Sequence, residues 1–222
     1  MIMTRKIKYG LIGASGRLGY EVKNVFKESG HELVFQYDID GEKLDEKPEL
    51  LIDCSLPEVF EESLGYQKKF QAPLIVATTA LSAEQLNQLK ELGKNYPVVQ
   101  SFNYSLGIQV LLKLAEVAYD KLKDWDIEIT ETHHRFKKDK PSGTAKMIQE
   151  VVKDKNVNPT SLRLGNIAGD HTIYFGGLGE VLSITHSATS RRTFAEGILK
   201  SAEFILEKRE GFYSFHDVVF GK

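Results

Sequence analysis

The stretch Glu131-Thr132-His133-His134-Arg135-Phe136-Lys137-Lys138-Asp139-Lys140-Pro141-Ser142-Gly143-Thr144-Ala145 concentrates residue types that move protons and hold anions. Imidazole titrates near neutral pH and suits general acid work. Lys137 offers a proton or a fixed positive charge close by. Pro141-Ser142-Gly143-Thr144 marks a helix start, where backbone N–H groups and hydroxyls stabilise a carboxylate. Together these read as a site for an acidic substrate with a proton donor. A solvated basic loop without chemistry accounts for the same run of charge equally well at this point. A metal pair fits poorly. Neighbouring side chains at a strand end point to opposite faces, and no further Cys or Glu/His ligands follow at metal spacing.

A second chemical element lies near the start of the chain, at Gly13-Ala14-Ser15-Gly16-Arg17-Leu18-Gly19. It follows an apolar strand-like run and opens an amphipathic segment. Glycines there permit a tight turn and close backbone approach to a pyrophosphate, whose charge the helix N-terminus meets. The spacing G-x-x-G-x-x-G is one residue longer than the usual dinucleotide fingerprint. Its context supplies the specificity, because Asp38 ends the next strand where an acid accepts hydrogen bonds from ribose hydroxyls. No Arg or Lys adjoins Asp38, which tilts the expectation toward NADH; Lys43 keeps NADPH open. Ligands of open parallel sheets sit beyond the carboxyl ends of the strands, which places Ser55, Thr78-Thr79 and Ser101–Tyr104 around the cofactor. On position alone these are also ordinary strand-to-helix loops.

The elements that must position these groups alternate simply over the first hundred residues. Short apolar runs at Ile7–Ile12, Leu33–Tyr37, Leu50–Cys54, Leu74–Ala77 and Val98–Gln100 read as strands buried on both faces. Helices lie between most of them. Leu18, Val22, Val25 and Phe26 keep helical spacing before Ser29-Gly30, Pro57-Glu58 suit a first turn, and Ser82-Ala83-Glu84-Gln85 fits a capping box. Asp40–Glu49 is short and polar, so one crossover is abbreviated. This pattern predicts a Rossmann-type α/β domain with a parallel sheet. After residue 105 the pattern becomes α+β: a helix over Ile108–Leu122, a strand over Asp126–Thr132, and a helix from about Ser142 to Lys155. Strands over Thr172–Phe175 and Val181–His186 follow, and Phe194, Ile198, Leu199, Ala202 and Ile205 mark a last helix.

Composition narrows the function classes. The 222 residues, 41% of them hydrophobic, suffice for one large or two small cores. A net charge of −2, with 29 basic and 31 acidic residues evenly spread, gives no footprint for nucleic acid or an anionic membrane surface. No stretch approaches membrane-spanning length, and the first residues lack a signal-peptide core. The single cysteine, Cys54, sits in an apolar run and reads as an inert thiol in a reducing compartment. The expectation is a cytoplasmic protein.

Residues His133 to Ala145 resemble the signature H-H-x-x-K-x-D-x-P-S-G-T-A of the 4-hydroxy-tetrahydrodipicolinate reductase (dihydrodipicolinate reductase) family. Gly13–Gly19 resembles that family's nucleotide loop, and Asn103-Tyr104-Ser105-Leu106-Gly107 its junction stretch. Arg163-x-Gly165, Gly169-x-His171, Gly179-Glu180 and His186 followed by Arg191 keep the family's order and spacing. The resemblance implies NADH- or NADPH-dependent reduction of a cyclic dicarboxylate to tetrahydrodipicolinate, in the diaminopimelate/lysine pathway. It makes His133 the proton donor and Lys137 the second catalytic group, with His134, Ser142, Gly143 and Thr144 binding the substrate. Cofactor contacts would come from Gly13, Ala14, Ser15, Gly16, Arg17, Leu18, Asp38, Ala77, Thr78, Thr79, Ser101, Phe102, Asn103 and Tyr104. It further implies a cofactor domain of residues 1–105 and 192–222, a substrate and assembly domain of 106–191, and a homotetramer. Three departures stand out: Ala77 replaces the family's glycine, Lys140 its alanine, and the chain is short around Asp40–Glu49. Another NAD(P)-dependent dehydrogenase would keep the glycine loop without needing His133-His134-x-x-Lys137. A nicotinamide-sensing regulator would want a DNA-binding helix pair that the layout does not show.

Overall fold

A computed structural model of the chain describes residues 5–153 and 157–221. The elements run β1 (Lys8–Ile12), α1 (Arg17–Glu28), β2 (Glu32–Asp38), β3 (Gly41–Leu44), β4 (Leu50–Asp53), a 3₁₀ turn (Pro57–Val59) leading into α2 (Phe60–Phe70), β5 (Leu74–Val76), α3 (Ala83–Leu92) and β6 (Pro97–Gln100). They continue as α4 (Leu106–Leu122), β7 (Asp126–His133), α5 (Gly143–Val152), β8 (Thr160–Arg163), β9 (Asp170–Gly176), β10 (Val181–Ser187), α6 (Arg192–Ile205), β11 (Gly211–Tyr213) and α7 (Phe215–Phe220). Two compact units result, one ending at Tyr104 and resuming at Arg191, the other spanning Ser105–Ser190.

The first unit is a seven-stranded sheet in the order β11-β6-β5-β4-β1-β2-β3. Every pairing is parallel except β2 with β3. All residues of β4, β5 and β6 are buried, as expected of strands covered on both faces. One layer of core packs Tyr9, Val22, Phe26, Ile52 and Val99 with Ile198 and Ile205 of α6; the other packs Phe35, Leu51, Leu74 and Val98 with Phe60, Leu64 and Leu89 of α2 and α3. Each large apolar side chain removed from water contributes about 2 kcal/mol. Because β1 has β2 on one side and β4 on the other, the order in which strands are added reverses there while their direction does not. The loops after β1 and β4 therefore line the crevice where such sheets bind ligands.

Several expectations appear in sharper form. The capping box at Ser82 is present, with the Ser82 hydroxyl accepting from Gln85 N–H and the Gln85 side chain returning to Ser82 N–H. The abbreviated crossover at 40–49 contains β3, which turns back antiparallel on β2. Short strands β8 and β11 and the closing helix α7 were not marked by the apolar pattern. Helix α5 begins at Gly143 behind its cap Ser142 and ends at Val152; Lys155, its expected end, lies outside the described residues.

The second unit is a four-stranded sheet in the order β10-β9-β7-β8, with α4 and α5 packed through Ile108, Leu111, Ala115, Ile148 and Val152 onto Ile129, Ile173 and Phe175. In β7 the buried residues are Ile129, Glu131 and His133. Side chains two apart on a strand share a face, so a carboxylate and an imidazole sit side by side on the covered side of the sheet.

Candidate active site

His133 closes β7, and its cross-strand neighbours supply its surroundings. In register, His133 lies opposite Arg163 on β8, and Glu131 lies opposite His171 on β9. The His133 Nδ1 is 2.5 Å from Glu131 Oε2. Arg163 grips the same carboxylate in fork geometry, one terminal nitrogen donating to Oε2 at 2.8 Å and the other to Oε1 at 2.7 Å. Ser142 N–H donates to Glu131 Oε1 at 3.2 Å, tying the start of α5 to the strand. The His171 ring stands edge-on to His133, centroids 5.1 Å apart, and its Nε2 is 3.2 Å from Ser142 Oγ.

These contacts set the protonation preferences. Burial works against ionisation of Glu131, but the Arg163 guanidinium and the other donors hold its carboxyl down to about 2. Burial likewise pushes the His133 imidazole below its ordinary value; Glu131 opposes that shift, while Lys137 and Arg163 add to it. His171 is pushed to about 3, first by burial and then by His133, so it stays neutral.

Lys137 sits in the loop after β7, held by its N–H donating to His134 O at 3.1 Å, with its ammonium 2.8 Å from Asp139 Oδ1. His134 leaves the strand face that His133 occupies: its N–H donates to Ile167 O at 2.8 Å and its half-buried ring lies 6.4 Å from that of the exposed Phe136. Ser142 caps α5 by accepting from Ala145 N–H at 3.2 Å and is only 1% exposed, so its hydroxyl serves the scaffold. Gly143 opens the helix half-buried and Thr144 follows, buried. The second unit thus gathers His133, Lys137, Ser142 and the helix start around a carboxylate–guanidinium pair. Glu131 and Arg163 were not singled out as site residues from sequence. The signal for Glu131 was its two-residue spacing from His133; nothing local pointed to Arg163 beyond its place in the family's order.

In the first unit the glycine loop follows β1. Gly13 adopts φ +79°, and a Cβ there would stand 2.8 Å from Cys54 O, so the loop lies directly against the end of β4. Helix α1 begins behind Gly16 with no side-chain cap and no acidic residue in its first turn, which leaves an anion-binding end. The Asp38 carboxylate accepts from Ser15 N–H at 2.5 Å and from Ile39 N–H at 2.9 Å. Partial burial disfavours its charge, but those donors hold the carboxyl below the usual range. Lys43, the cation nearest in sequence, pairs with Asp45 at 3.7 Å. These residues fit the pyrophosphate and ribose of a dinucleotide.

The remaining loop residues divide into scaffold and surface. Thr78 turns its hydroxyl to Asp53 Oδ1 at 3.0 Å, while Thr79 is exposed and Ala77 buried. Asp53 is fully buried and also accepts from Ser55 N–H, Ser55 Oγ and Ser63 Oγ at 2.8, 2.5 and 3.0 Å. Burial pushes its carboxyl up, against those four hydrogen bonds. Ser101 Oγ donates to Asn103 O and accepts from Asn103 N–H, shaping the turn that carries half-buried Phe102. Tyr104 is a core residue whose hydroxyl donates toward Val76 O at 2.9 Å and lies 3.3 Å from Val99 O. Among the described residues no group of three His, Cys, Asp or Glu side chains is placed to hold a metal ion, and no helix is long and apolar enough to cross a membrane.

Two family models match the chain, "Dihydrodipicolinate reductase, N-terminus" over residues 7–104 and "Dihydrodipicolinate reductase, C-terminus" over residues 107–219. Among curated proteins, 4-hydroxy-tetrahydrodipicolinate reductase of Thermosipho africanus is 43% identical, the alignment covering 96% of this chain and 98% of that protein. The Campylobacter jejuni enzyme of the same name is 37% identical over 95% of this chain and 98% of its own length. Among solved structures, a dipicolinate-bound dihydrodipicolinate reductase from Paenisporosarcina sp. TG-14 superposes with a TM-score of 0.74 at 23% identity, covering 95% of this chain and 98% of that one. An aspartate dehydrogenase from Thermotoga maritima shares the fold at a TM-score of 0.56 and 17% identity.

Proposed function

The chain belongs to the dihydrodipicolinate reductase family, and on that footing we propose that His133 is the proton donor of its reaction. The enzyme reduces 4-hydroxy-tetrahydrodipicolinate to tetrahydrodipicolinate with NADH or NADPH, in diaminopimelate and lysine biosynthesis. The observation that carries the assignment of His133 is its pairing with Glu131. A buried imidazole bound at Nδ1 to a carboxylate presents Nε2 for proton transfer.

The remaining roles follow from charge and position. Lys137 is the second catalytic group, its ammonium held beside Asp139. His134 and the Gly143-Thr144 start of α5 receive the substrate's carboxylates, with Ser142 forming the turn beneath them. Gly13, Ala14, Ser15, Gly16, Arg17 and Leu18 hold the cofactor's phosphates, and Asp38 its ribose. Ala77, Thr78 and Thr79, with Ser101, Phe102, Asn103 and Tyr104, shape the nicotinamide end; Thr78 and Tyr104 act through the scaffold bonds described above. The bound cofactor supplies the hydride; the protein contributes orientation, a proton and cationic binding.

Residues 106–191 also carry the assembly surface in this reading. Helix α4 exposes Leu106, Val110, Leu114 and Val117 at helical spacing, and Val181 and Leu182 of β10 are exposed as well. Apolar area of this kind supports the homotetramer implied by the family resemblance. The balanced charge and the single, half-buried Cys54 support a cytoplasmic enzyme.

The decisive experiment follows NADH absorbance as the purified protein meets freshly generated 4-hydroxy-tetrahydrodipicolinate. Oxidation that falls on the order of a hundred-fold or more in His133→Gln, with cofactor binding intact, is the expected result. Turnover undiminished in that variant removes His133 from the mechanism.

A further inference from the structure

An arginine beside an anion-binding site is ordinarily the first candidate to hold the anion. A guanidinium has five N–H donors and no acceptor. In Arg163 all five are directed to oxygens of the protein itself. Its Nε donates to Lys137 O at 3.2 Å; one terminal nitrogen donates to Glu131 Oε2 at 2.8 Å and Leu162 O at 2.6 Å; the other donates to Glu131 Oε1 at 2.7 Å and Asp139 O at 2.5 Å. The side chain is only 7% exposed. No donor remains for a substrate carboxylate.

The acceptors it has chosen are informative. Two are the main-chain carbonyls of Lys137 and Asp139, in the loop that carries the second catalytic group. Two are the oxygens of Glu131, the carboxylate bonded to His133 Nδ1. One side chain therefore sets the loop of Lys137 and the ring of His133 in a common frame.

We propose that Glu131 and Arg163 are a positioning pair for the proton donor of the reduction, and that Arg163 is not a ligand of the substrate. The inference rests on the reading of His133 as that donor. Glu131 accepts the Nδ1 proton and leaves Nε2 to deliver one outward. Arg163 neutralises Glu131, so the carboxylate orients the imidazole without binding its proton too tightly to release. The charged and titratable groups facing His133 are Glu131 on its own strand, Arg163 on β8, His171 on β9, and Lys137 with its partner Asp139 on the loop.

The pair acts on the imidazole with opposite signs. Glu131 favours imidazolium and Arg163 disfavours it. A general acid must be protonated in the free enzyme, so the basic limb of kcat/KM against pH reports its affinity for the proton. Glu131→Gln should move that limb to lower pH, by about one to three units. Arg163→Gln should move it to higher pH, and should lower kcat while KM stays within a few-fold of wild type. General loosening of the fold produces no such opposition in sign. Limb shifts of the same sign, no shift, or an effect of Arg163→Gln confined to KM would overturn the proposal.

Either variant leaves a buried charge unpaired and can fail to fold. The wild-type enzyme then decides through ¹⁵N NMR of its histidines: the neutral His133 is expected with the proton on Nδ1 and a pyridine-like Nε2. The opposite tautomer overturns the pair's role. An active His133→Gln, by contrast, sinks the assignment of the proton donor itself, so the two failures are distinguishable.

Discussion

Gly169 lies against the outward nitrogen of His133: a Cβ built on it would stand 3.0 Å from Nε2. Its φ of +157° is also one that a side chain rarely adopts. Gly169→Ala should therefore push the imidazole aside. Turnover is expected to fall on the order of ten-fold or more, as reacting groups lose alignment. Equal kinetics would show that the ring tolerates the shift, and the measurement is steady-state kcat beside an NADH titration.

Lys137 is held within the loop whose carbonyls Arg163 grips, with Asp139 as its ion-pair partner at 2.8 Å. Lys137→Ala should lower kcat and raise KM together, costing about a hundred-fold in kcat/KM. A change in neither constant would exclude Lys137 from the chemistry.

Asp38 bears on cofactor choice. Its carboxylate, held charged by Ser15 and Ile39 N–H groups, is an acceptor for ribose hydroxyls and repels a 2′-phosphate. Asp38→Ala should weaken NADH by about ten-fold, the scale of a hydrogen bond to a charged group, and leave NADPH unchanged or tighter. Direct titration of both cofactors checks this. Equal losses on the two would refute electrostatic discrimination by Asp38.

Acid acts in opposite directions on the two buried carboxylates. Glu131 is depressed to about 2, so its contribution is present above ~4.3, the unfolded value, and disappears as pH falls toward 2; it is about 3 kcal/mol. Asp53 is raised, so the stability linked to it is complete below ~3.9 and is lost as pH rises through its folded value. At neutral pH an ionised Asp53 is thus a cost. Asp53→Asn can keep the three donors on Oδ1, while its new amide donates to Ser63 Oγ, whose hydroxyl then turns to Val59 O, 3.3 Å away. Its thermal midpoint at pH 7 should equal or exceed wild type. A drop of several degrees would mean that the hydroxyl cluster needs the charge.

How much of this was legible depends on whether burial or pairing makes the element. Strands β1, β2, β4, β5 and β6 are apolar runs and announced themselves. All four residues of β3 are exposed, so hydrogen bonding to β2 rather than hydrophobicity forms it, and the apolar pattern is silent there. Strand β11 has three residues, too few for any periodicity. Helix α7 carries a sequence signal at its start, where Ser214 and Asp217 form a capping box, but its six residues are too few to show a helical apolar period. At the site, His133 and Lys137 stood out by type and spacing. Arg163 could not, since three of its five acceptors are main-chain carbonyls, which every residue carries and no sequence pattern marks.

The two sheets end differently. The first unit finishes in β3, short and bearing the charged Glu42 and Lys43, and in the three-residue β11, neither of which offers another chain a long run of free N–H and C=O groups. The second finishes on one side in β10, seven residues long, among the described residues paired along one edge only, and exposing Val181 and Leu182. An unpaired edge of that length is a template for backbone pairing or for burial by a neighbour. Sequence changes that shorten or charge β10 should therefore trade self-association for solubility, whereas the same changes in β3 should alter neither.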